Sequence, residues 1–140
     1  MTQKIDGQER KTVLIVDDQA LLRRTMRELL QDAFPDCNFL DSADGASALE
    51  ACKAYRPMLV LMDKCLPDAD GIELTARLKS LYPGIQVIVV SHRSGEAYVK
   101  HALAVGACAY VVKDDLLTDL ILAVAAALGI PPAADRGISS

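Results

Sequence analysis

Five polar residues stand at the ends of apolar runs in this sequence, and their types are those that phosphoryl transfer uses. Asp17 and Asp18 follow the first run, while Asp63, Ser91 and Lys113 end or follow three later ones. Three carboxylates brought close together repel one another unless a cation lies among them. Oxygen ligands without His or Cys favour a hard ion, so Mg²⁺ is the expected cofactor. A nucleophilic carboxylate, a metal, a hydroxyl and a lysine together predict transfer of a phosphoryl group.

These residues can meet only if the apolar runs are strands of one sheet. The runs cover residues 13–16, 58–62, 87–90 and 109–112, with a weaker run at 38–40. Continuous rather than alternating apolar runs are typical of parallel strands that are buried on both faces under helices. Asp63 would then stand alone at the end of the central strand, which makes it the preferred nucleophile.

Helices are predicted between the runs. The first helix has an apolar stripe at helical spacing, formed by Leu22, Met26, Leu29, Leu30 and Ala33. Helical stretches are expected to end before Pro35, Pro57, Pro83 and Gly106. Asp70 is expected to cap the third helix, with Glu73 three residues further on. This order of elements predicts a doubly wound α/β fold with a five-stranded parallel sheet in the flavodoxin-like strand order 2-1-3-4-5.

In such a sheet the carboxyl ends of the strands form one rim, and ligands bind there. The five polar residues all fall on that rim. Any one aspartate at a strand end could instead cap the following helix, and for Asp18 capping and a functional role are compatible. That explanation weakens when two adjacent aspartates, a third aspartate, a hydroxyl and a lysine coincide on one rim.

The composition excludes several other classes of protein. With 140 residues, of which 51% are hydrophobic and 24% charged, the chain is expected to form one packed domain. A net charge of −4 without a Lys/Arg cluster argues against direct nucleic-acid binding. No window reaches the roughly 18 apolar residues of a membrane span, so we expect no membrane association, a cytoplasmic location and reduced cysteines. The predicted domain covers residues 11–129, between a mobile polar tail at 1–10 and a tail or truncated linker at 130–140.

The sequence around these residues resembles the response-regulator receiver domain of two-component signalling. The resemblance covers about residues 11–129 and rests on four stretches, at 13–18, 59–71, 89–91 and 106–113. It implies that Asp63 accepts a phosphoryl group from the phosphohistidine of a sensor histidine kinase or a phosphotransfer protein. It also implies that Mg²⁺ is held by Asp17, Asp18, Asp63 and the backbone carbonyl of Cys65.

The resemblance further implies a switch that involves Ser91, Lys113 and Tyr110. Ser91 and Lys113 would contact the phosphoryl oxygens, and Tyr110 would rotate inward when Ser91 moves. A phosphoryl group adds a charge of about −2, which draws the Ser91 hydroxyl and the Lys113 ammonium toward it. The space left by Ser91 is then open to Tyr110, and a small difference in free energy between the two states is enough to shift the population. The expected result is an altered surface for a downstream output protein or domain.

Two residues beside the predicted site, His92 and Cys65, could in principle add metal-binding, catalytic or redox chemistry, but we expect neither to do so. His92 follows Ser91 where a small residue is frequent in the family, and it is predicted to be a solvent-facing loop histidine rather than a catalytic or metal-binding one. Cys65 lies near Asp63, but no flanking base is present to lower the pKa of its thiol, so a redox role is not expected.

The last helix is predicted to form an interaction surface because it is apolar nearly all round. Thr118 and Asp119 are its polar residues between positions 116 and 128. The pattern predicts that the sheet is covered by Leu117, Leu120, Ile121, Val124 and Leu128. It leaves on the outside Leu122, Ala123 and Ala126. In receivers the face made by the fourth helix, fifth strand and fifth helix commonly binds partners, so a homodimer through this face is one option.

Two other functions remain open at this point. A haloacid-dehalogenase-type phosphatase also uses Asp, Lys and a hydroxyl with Mg²⁺, but it requires Asp-x-Asp after its first strand and a cap insertion. The sequence around Asp17 and that around Asp63 supply neither. The second alternative is a receiver-like docking module that works without phosphorylation. The stretch at 106–114 looks like receivers that precede helix-turn-helix outputs, so the domain is either a stand-alone receiver or the receiver of a longer regulator. In neither case is an enzyme expected.

Overall fold

The computed structural model describes residues 4–5 and 8–133, with side chains from residue 10 onward. Strands and helices alternate along this chain. The strands are β1 (Thr12–Val16), β2 (Asn38–Ser42), β3 (Leu59–Asp63), β4 (Gln86–Ser91) and β5 (Ala109–Val112). The helices are α1 (Ala20–Ala33), α2 (Gly45–Tyr55), α3 (Gly71–Leu81), α4 (Glu96–Ala104) and α5 (Leu116–Leu128). A short 3₁₀ helix, Lys113–Asp115, joins β5 to α5.

The five strands form one parallel sheet in the order β2-β1-β3-β4-β5. This result confirms the predicted fold class and the strand order 2-1-3-4-5. Two strands of two residues each, Lys4–Ile5 and Gln8–Glu9, pair with each other ahead of the sheet. Residues 1–3 and 6–7 of the predicted amino-terminal tail, and residues 134–140 of the predicted carboxy-terminal tail, lie outside the described residues.

The side chains of β1 alternate between two hydrophobic layers. Val13 and Ile15 pack into the layer that α1 and α5 cover, whereas Leu14 and Val16 pack into the layer that α2, α3 and α4 cover. A strand with apolar residues on both faces is what a sheet between two layers of helices requires. The predicted apolar stripe on α1 is also confirmed, because all of its residues are buried or half-buried in this layer: Leu22, Met26, Leu29, Leu30 and Ala33.

Helix α5 differs from its predicted orientation by one position at its start. Leu117, expected against the sheet, is 71% exposed, and Leu116 is buried in its place. The buried residues of α5 follow one another at four-residue spacing from Leu116, through Leu120 and Val124 to Leu128, and Leu117 lies beside this stripe. Ala123, expected outside, is half-buried and packs against the core, whereas Leu122 is 65% exposed. Within the described residues no helix is both long and apolar enough to cross a membrane.

Candidate functional site

The five predicted site residues meet at the carboxyl edge of the sheet. Asp17 directly follows β1, Asp63 and Ser91 are the last residues of β3 and β4, and Lys113 directly follows β5. Because the strands are parallel, their carboxyl ends lie side by side, and residues far apart in the chain become neighbours. Asp17 and Ser91 are almost completely buried, and Asp63 is 5% exposed. Asp18 lies on the exposed side of the group.

Lys113 bridges the two buried carboxylates. Its Nζ atom lies 2.9 Å from Asp17 Oδ2 and 3.3 Å from Asp63 Oδ1, and its side chain is 4% exposed. Two backbone groups hold the same carboxylates in place. The N–H of Gln19 donates to Asp17 Oδ1 over 2.8 Å, and the N–H of Cys65 donates to Asp63 Oδ1 over 3.3 Å.

The electrostatics of the group disfavour the ionised form of Asp63. Burial raises the pKa of the Asp63 carboxyl, and the neighbouring charge of Asp17 raises it further. Lys113 and the backbone N–H of Cys65 act in the opposite direction and offset part of this effect. One ammonium therefore does not compensate the buried carboxylates completely.

The aspartates fit a hard cation such as Mg²⁺. One carboxylate oxygen from each of Asp17, Asp18 and Asp63 lies within 4.8 Å of the others. Asp17 Oδ2 is buried, and its ion pair with Lys113 Nζ over 2.9 Å supplies a single positive charge to the group. A set of oxygen donors with an excess of negative charge suits a divalent ion.

An open cavity of about 350 Å³ gives access to the group. Its walls are formed by Asp18, Gln19, Asp63, Cys65, Ser91, His92, Arg93 and Lys113. Asp17 is buried and is not among the lining residues. A second cavity, of about 500 Å³, is lined by residues of α1 and β2 and shares none of these side chains, so the chemistry belongs to the first.

Comparison with known proteins identifies the family to which this fold belongs. Residues 13–125 match the family described as the response regulator receiver domain. The chain belongs to this receiver family. The match removes the support for a haloacid-dehalogenase-type phosphatase, because it covers the strands that carry all three aspartates.

Several known proteins are similar to this chain. The chain is 34% identical over 117 residues to the transcriptional regulatory protein DegU of Brevibacillus brevis, covering 81% of this chain and 49% of DegU. It is 36% identical over 103 residues to the chemotaxis protein CheY of Halobacterium salinarum, covering 74% of this chain and 84% of CheY. The solved CheX–CheY–BeF₃–Mg²⁺ complex of Borrelia burgdorferi is 26% identical with a TM-score of 0.78, covering 84% of this chain and 89% of that one. The chain thus spans about half of DegU but most of CheY.

Ser91 and Tyr110 of this receiver are linked through the backbone of Arg93. The Ser91 hydroxyl oxygen accepts the N–H of Arg93 over 3.0 Å, and the Tyr110 hydroxyl donates to the carbonyl oxygen of Arg93 over 2.6 Å. The Tyr110 ring is half-buried against the layer that contains α3 and α4. His92 is 65% exposed, as predicted, and its Nδ1 atom lies 3.8 Å from an oxygen of Asp114.

The loop between β3 and α3 is held by contacts that the sequence analysis missed in part. Asp70 caps α3, as predicted, by accepting the N–H groups of Ile72 and Glu73 over 2.8 and 3.3 Å. Lys64 Nζ donates to the other oxygen of Asp70 over 3.1 Å. Asp68 accepts two N–H groups at the start of α2, from Gly45 over 2.7 Å and from the next residue over 3.0 Å. No local sequence signal marks this contact, because its partners are more than twenty positions apart.

Gly71 allows this loop to fold back onto the end of β3. A Cβ atom at this position would lie 2.1 Å from the carbonyl oxygen of Asp63 and 2.8 Å from the Cα atom of Lys64. Both atoms belong to the backbone, so neither can move aside as a flexible side chain would. Glycine is therefore required for the close approach of α3 to the acidic group.

Proposed function

We propose that this receiver accepts a phosphoryl group on Asp63 from the phosphohistidine of a sensor histidine kinase or a phosphotransfer protein. The observation that carries the proposal is the placement of the Asp63 carboxylate on the wall of the open cavity, 3.3 Å from the Lys113 ammonium and within 4.8 Å of two other carboxylates. A nucleophile with this access and these neighbours suits phosphoryl transfer.

The residues around Asp63 have distinct roles in the proposed transfer. An oxygen of Asp63 forms a bond to phosphorus while the P–N bond of the donor breaks, and the donor imidazole keeps the electron pair of that bond. Lys113 Nζ and the N–H of Cys65 both contact Asp63 Oδ1, so they orient the carboxylate for attack. Ser91 lines the same cavity, and its hydroxyl would donate to a phosphoryl oxygen.

The proposed cofactor is Mg²⁺, held by Asp17, Asp18, Asp63 and the backbone carbonyl of Cys65. When bound, the ion would neutralise charge on the phosphoryl oxygens. The protein contributes the buried and oriented oxygens that hold it. Lys113 prevents the carboxylates from repelling one another strongly before the ion binds.

The proposed output is a change of protein surface controlled from Ser91. A phosphoryl group on Asp63 would draw the Ser91 hydroxyl away from the N–H of Arg93, and Arg93 also accepts the hydrogen bond from Tyr110. Release of this segment would free Tyr110 to turn inward and alter the face formed by α4, β5 and α5. We propose that this face binds an output protein or domain, or a second copy of the chain, in the cytoplasm. The residues proposed for this contact are Leu122, which is 65% exposed, and the neighbouring Ala123 and Ala126.

Intact-mass spectrometry after incubation with acetyl phosphate tests the proposed acceptor. We expect one labile adduct with the mass of a phosphoryl group, formed in Mg²⁺ but not in EDTA and absent from Asp63→Asn. Asp36→Asn is the matched control, because the same change is made at an exposed site outside the cavity. An equal adduct in Asp63→Asn would overturn the assignment, and absence of an adduct with every donor, including a histidine kinase, would favour a docking module.

The solution mass of phosphorylated Leu122→Glu, compared with wild type, tests the output face.

A further inference from the structure

Helix α4 is held to the core by few apolar contacts. Of its nine residues, all within the described part of the chain, only Ala102 is buried, whereas α3 buries five of eleven. Gly95 precedes α4 with a φ of +149°, a conformation that favours glycine, and no side chain caps the helix there. An element with little buried apolar surface opens or moves at low cost in free energy. Polar contacts at its first turn therefore have a large share in fixing its position.

Tyr98 supplies such contacts, because two cations lie near its ring. Lys64 Nζ is 5.3 Å from the ring centroid, and the guanidinium carbon of Arg93 is 5.9 Å from it. Both distances lie within the range of cation–π attraction, which is about 6 Å. Tyr98 is in the first turn of α4 and is half-buried. The ring thus connects α4 with the loop after β3 and with the loop after β4.

Lys64 is the fixed side of this arrangement. Its backbone N–H donates to the carbonyl oxygen of Val90, and its Nζ atom donates to Asp70 over 3.1 Å. The side chain is 15% exposed. The ammonium next to Tyr98 is therefore held in position.

Arg93 is the movable side. It is exposed and lies in the loop between β4 and α4, and it also lines the cavity that contains Asp63. A phosphoryl group on Asp63 would bring about two negative charges into that cavity. A full anion attracts a guanidinium more strongly than the quadrupole of a tyrosine ring does.

We propose that Tyr98, Lys64 and Arg93 form a clamp that holds α4 in its unphosphorylated position, and that a phosphoryl group on Asp63 opens the clamp by drawing Arg93 off the ring. The opening step rests on the proposed function, whereas the clamp itself does not. Since the clamp stabilises the unphosphorylated state, it opposes phosphorylation, and its loss favours the phosphorylated state by the same factor. Tyr98 is thus a positioning residue that acts through Arg93.

The clamp is tested first without phosphorylation, by amide hydrogen exchange of residues 96–104. We expect faster exchange in Tyr98→Leu than in wild type, and wild-type exchange in Tyr98→Phe, which keeps the ring. Arg93→Gln is a second variant that leaves the ring in place, and it is also expected to speed exchange in α4. Equal exchange in Tyr98→Leu and Tyr98→Phe would overturn the clamp.

The opening step is tested with beryllofluoride and Mg²⁺, the combination present in the solved CheY complex. We expect Tyr98→Leu to bind beryllofluoride about 2- to 5-fold more tightly than Tyr98→Phe, the factor that corresponds to one exposed cation–π contact. If the two variants bind beryllofluoride equally well while amide exchange in α4 is faster in Tyr98→Leu, the opening step is overturned and the clamp itself still stands. If the wild type neither binds beryllofluoride nor accepts a phosphoryl group, the proposed function and the opening step both fail, and the exchange experiment still decides the clamp.

Discussion

Replacing Asp63 with Asn is expected to stabilise the metal-free fold, although it removes the proposed phosphoryl acceptor. The side chain is nearly buried, and its carboxylate shares the Lys113 ammonium with Asp17. An asparagine amide has almost the same shape and can still accept the N–H of Cys65. The substitution therefore removes one buried negative charge and leaves the packing unchanged.

The distances in the site indicate the size of the effect. At an effective dielectric constant of about 20, the ion pair between Asp63 and Lys113 at 3.3 Å is worth about 5 kcal/mol. Asp17 lies within 4.8 Å of Asp63, so its repulsion costs at least about 3.5 kcal/mol at the same dielectric constant. Asp18 is exposed, so water reduces its repulsion to about 1 kcal/mol. The attraction to Lys113 and the repulsion from Asp17 and Asp18 nearly cancel. The cost of burying the charged carboxylate therefore decides whether the ionised Asp63 destabilises the fold, in agreement with the raised pKa of Asp63.

We expect a gain of about 1 kcal/mol in the free energy of unfolding, because Lys113 keeps Asp17 as its partner and the substitution leaves no buried charge unpaired. Urea and thermal unfolding in EDTA measure it, and a gain of this size raises the melting temperature by about 4 °C. Mg²⁺ should stabilise the wild type more than Asp63→Asn, because an ion that binds only the native state adds to its stability. Asp36→Asn is again the control. Lower stability of Asp63→Asn in EDTA would refute the electrostatic reasoning.

Two further predictions concern the packing of the domain. Gly71→Ala is expected to lower the free energy of unfolding by at least about 2 kcal/mol, because the new Cβ atom overlaps the Asp63 carbonyl; urea unfolding measures the loss, and a loss well below 1 kcal/mol would contradict this rigid contact. Burial raises the pKa of the Cys52 thiol to about 11, so only about 0.1% of this thiol is thiolate near pH 8. Iodoacetamide should therefore modify the exposed Cys65, whereas Cys52 should react only after unfolding. Peptide mapping decides the second prediction, and early modification of Cys52 would contradict its burial.

The sheet and its acidic edge could be predicted from the sequence because both depend on patterns of short range. Continuous apolar runs identify buried parallel strands, and the residue that follows each run falls on a common edge whatever the loops do. Asp17, Asp63 and Lys113 were placed together for this reason. Their separations of 2.9 and 3.3 Å could not be predicted, because they depend on side-chain conformations in the folded state.

Periodicity could not predict which loops contact each other or which residue of α5 is the first to be buried. An apolar period that starts at Leu117 predicts this residue against the sheet, whereas the buried positions of α5 start at Leu116. No sequence pattern predicts the contacts of Arg93 and Lys64 with Tyr98, since these contacts join three separate segments. Periodicity reports which face of an element is buried, and it contains no information on which loops meet.

The carboxylate of Asp68 ties the loop after the proposed acceptor to a helix that does not line its cavity. Its two hydrogen bonds satisfy N–H groups in the first turn of α2, where a Cβ atom at position 45 would lie a tight 3.1 Å from the Asp68 carboxylate. The start of α2 and the loop that contains Cys65 therefore share one anchor. Loss of the Asp68 carboxylate would leave both N–H groups without this acceptor, so a change in the loop after Asp63 would also destabilise the start of α2.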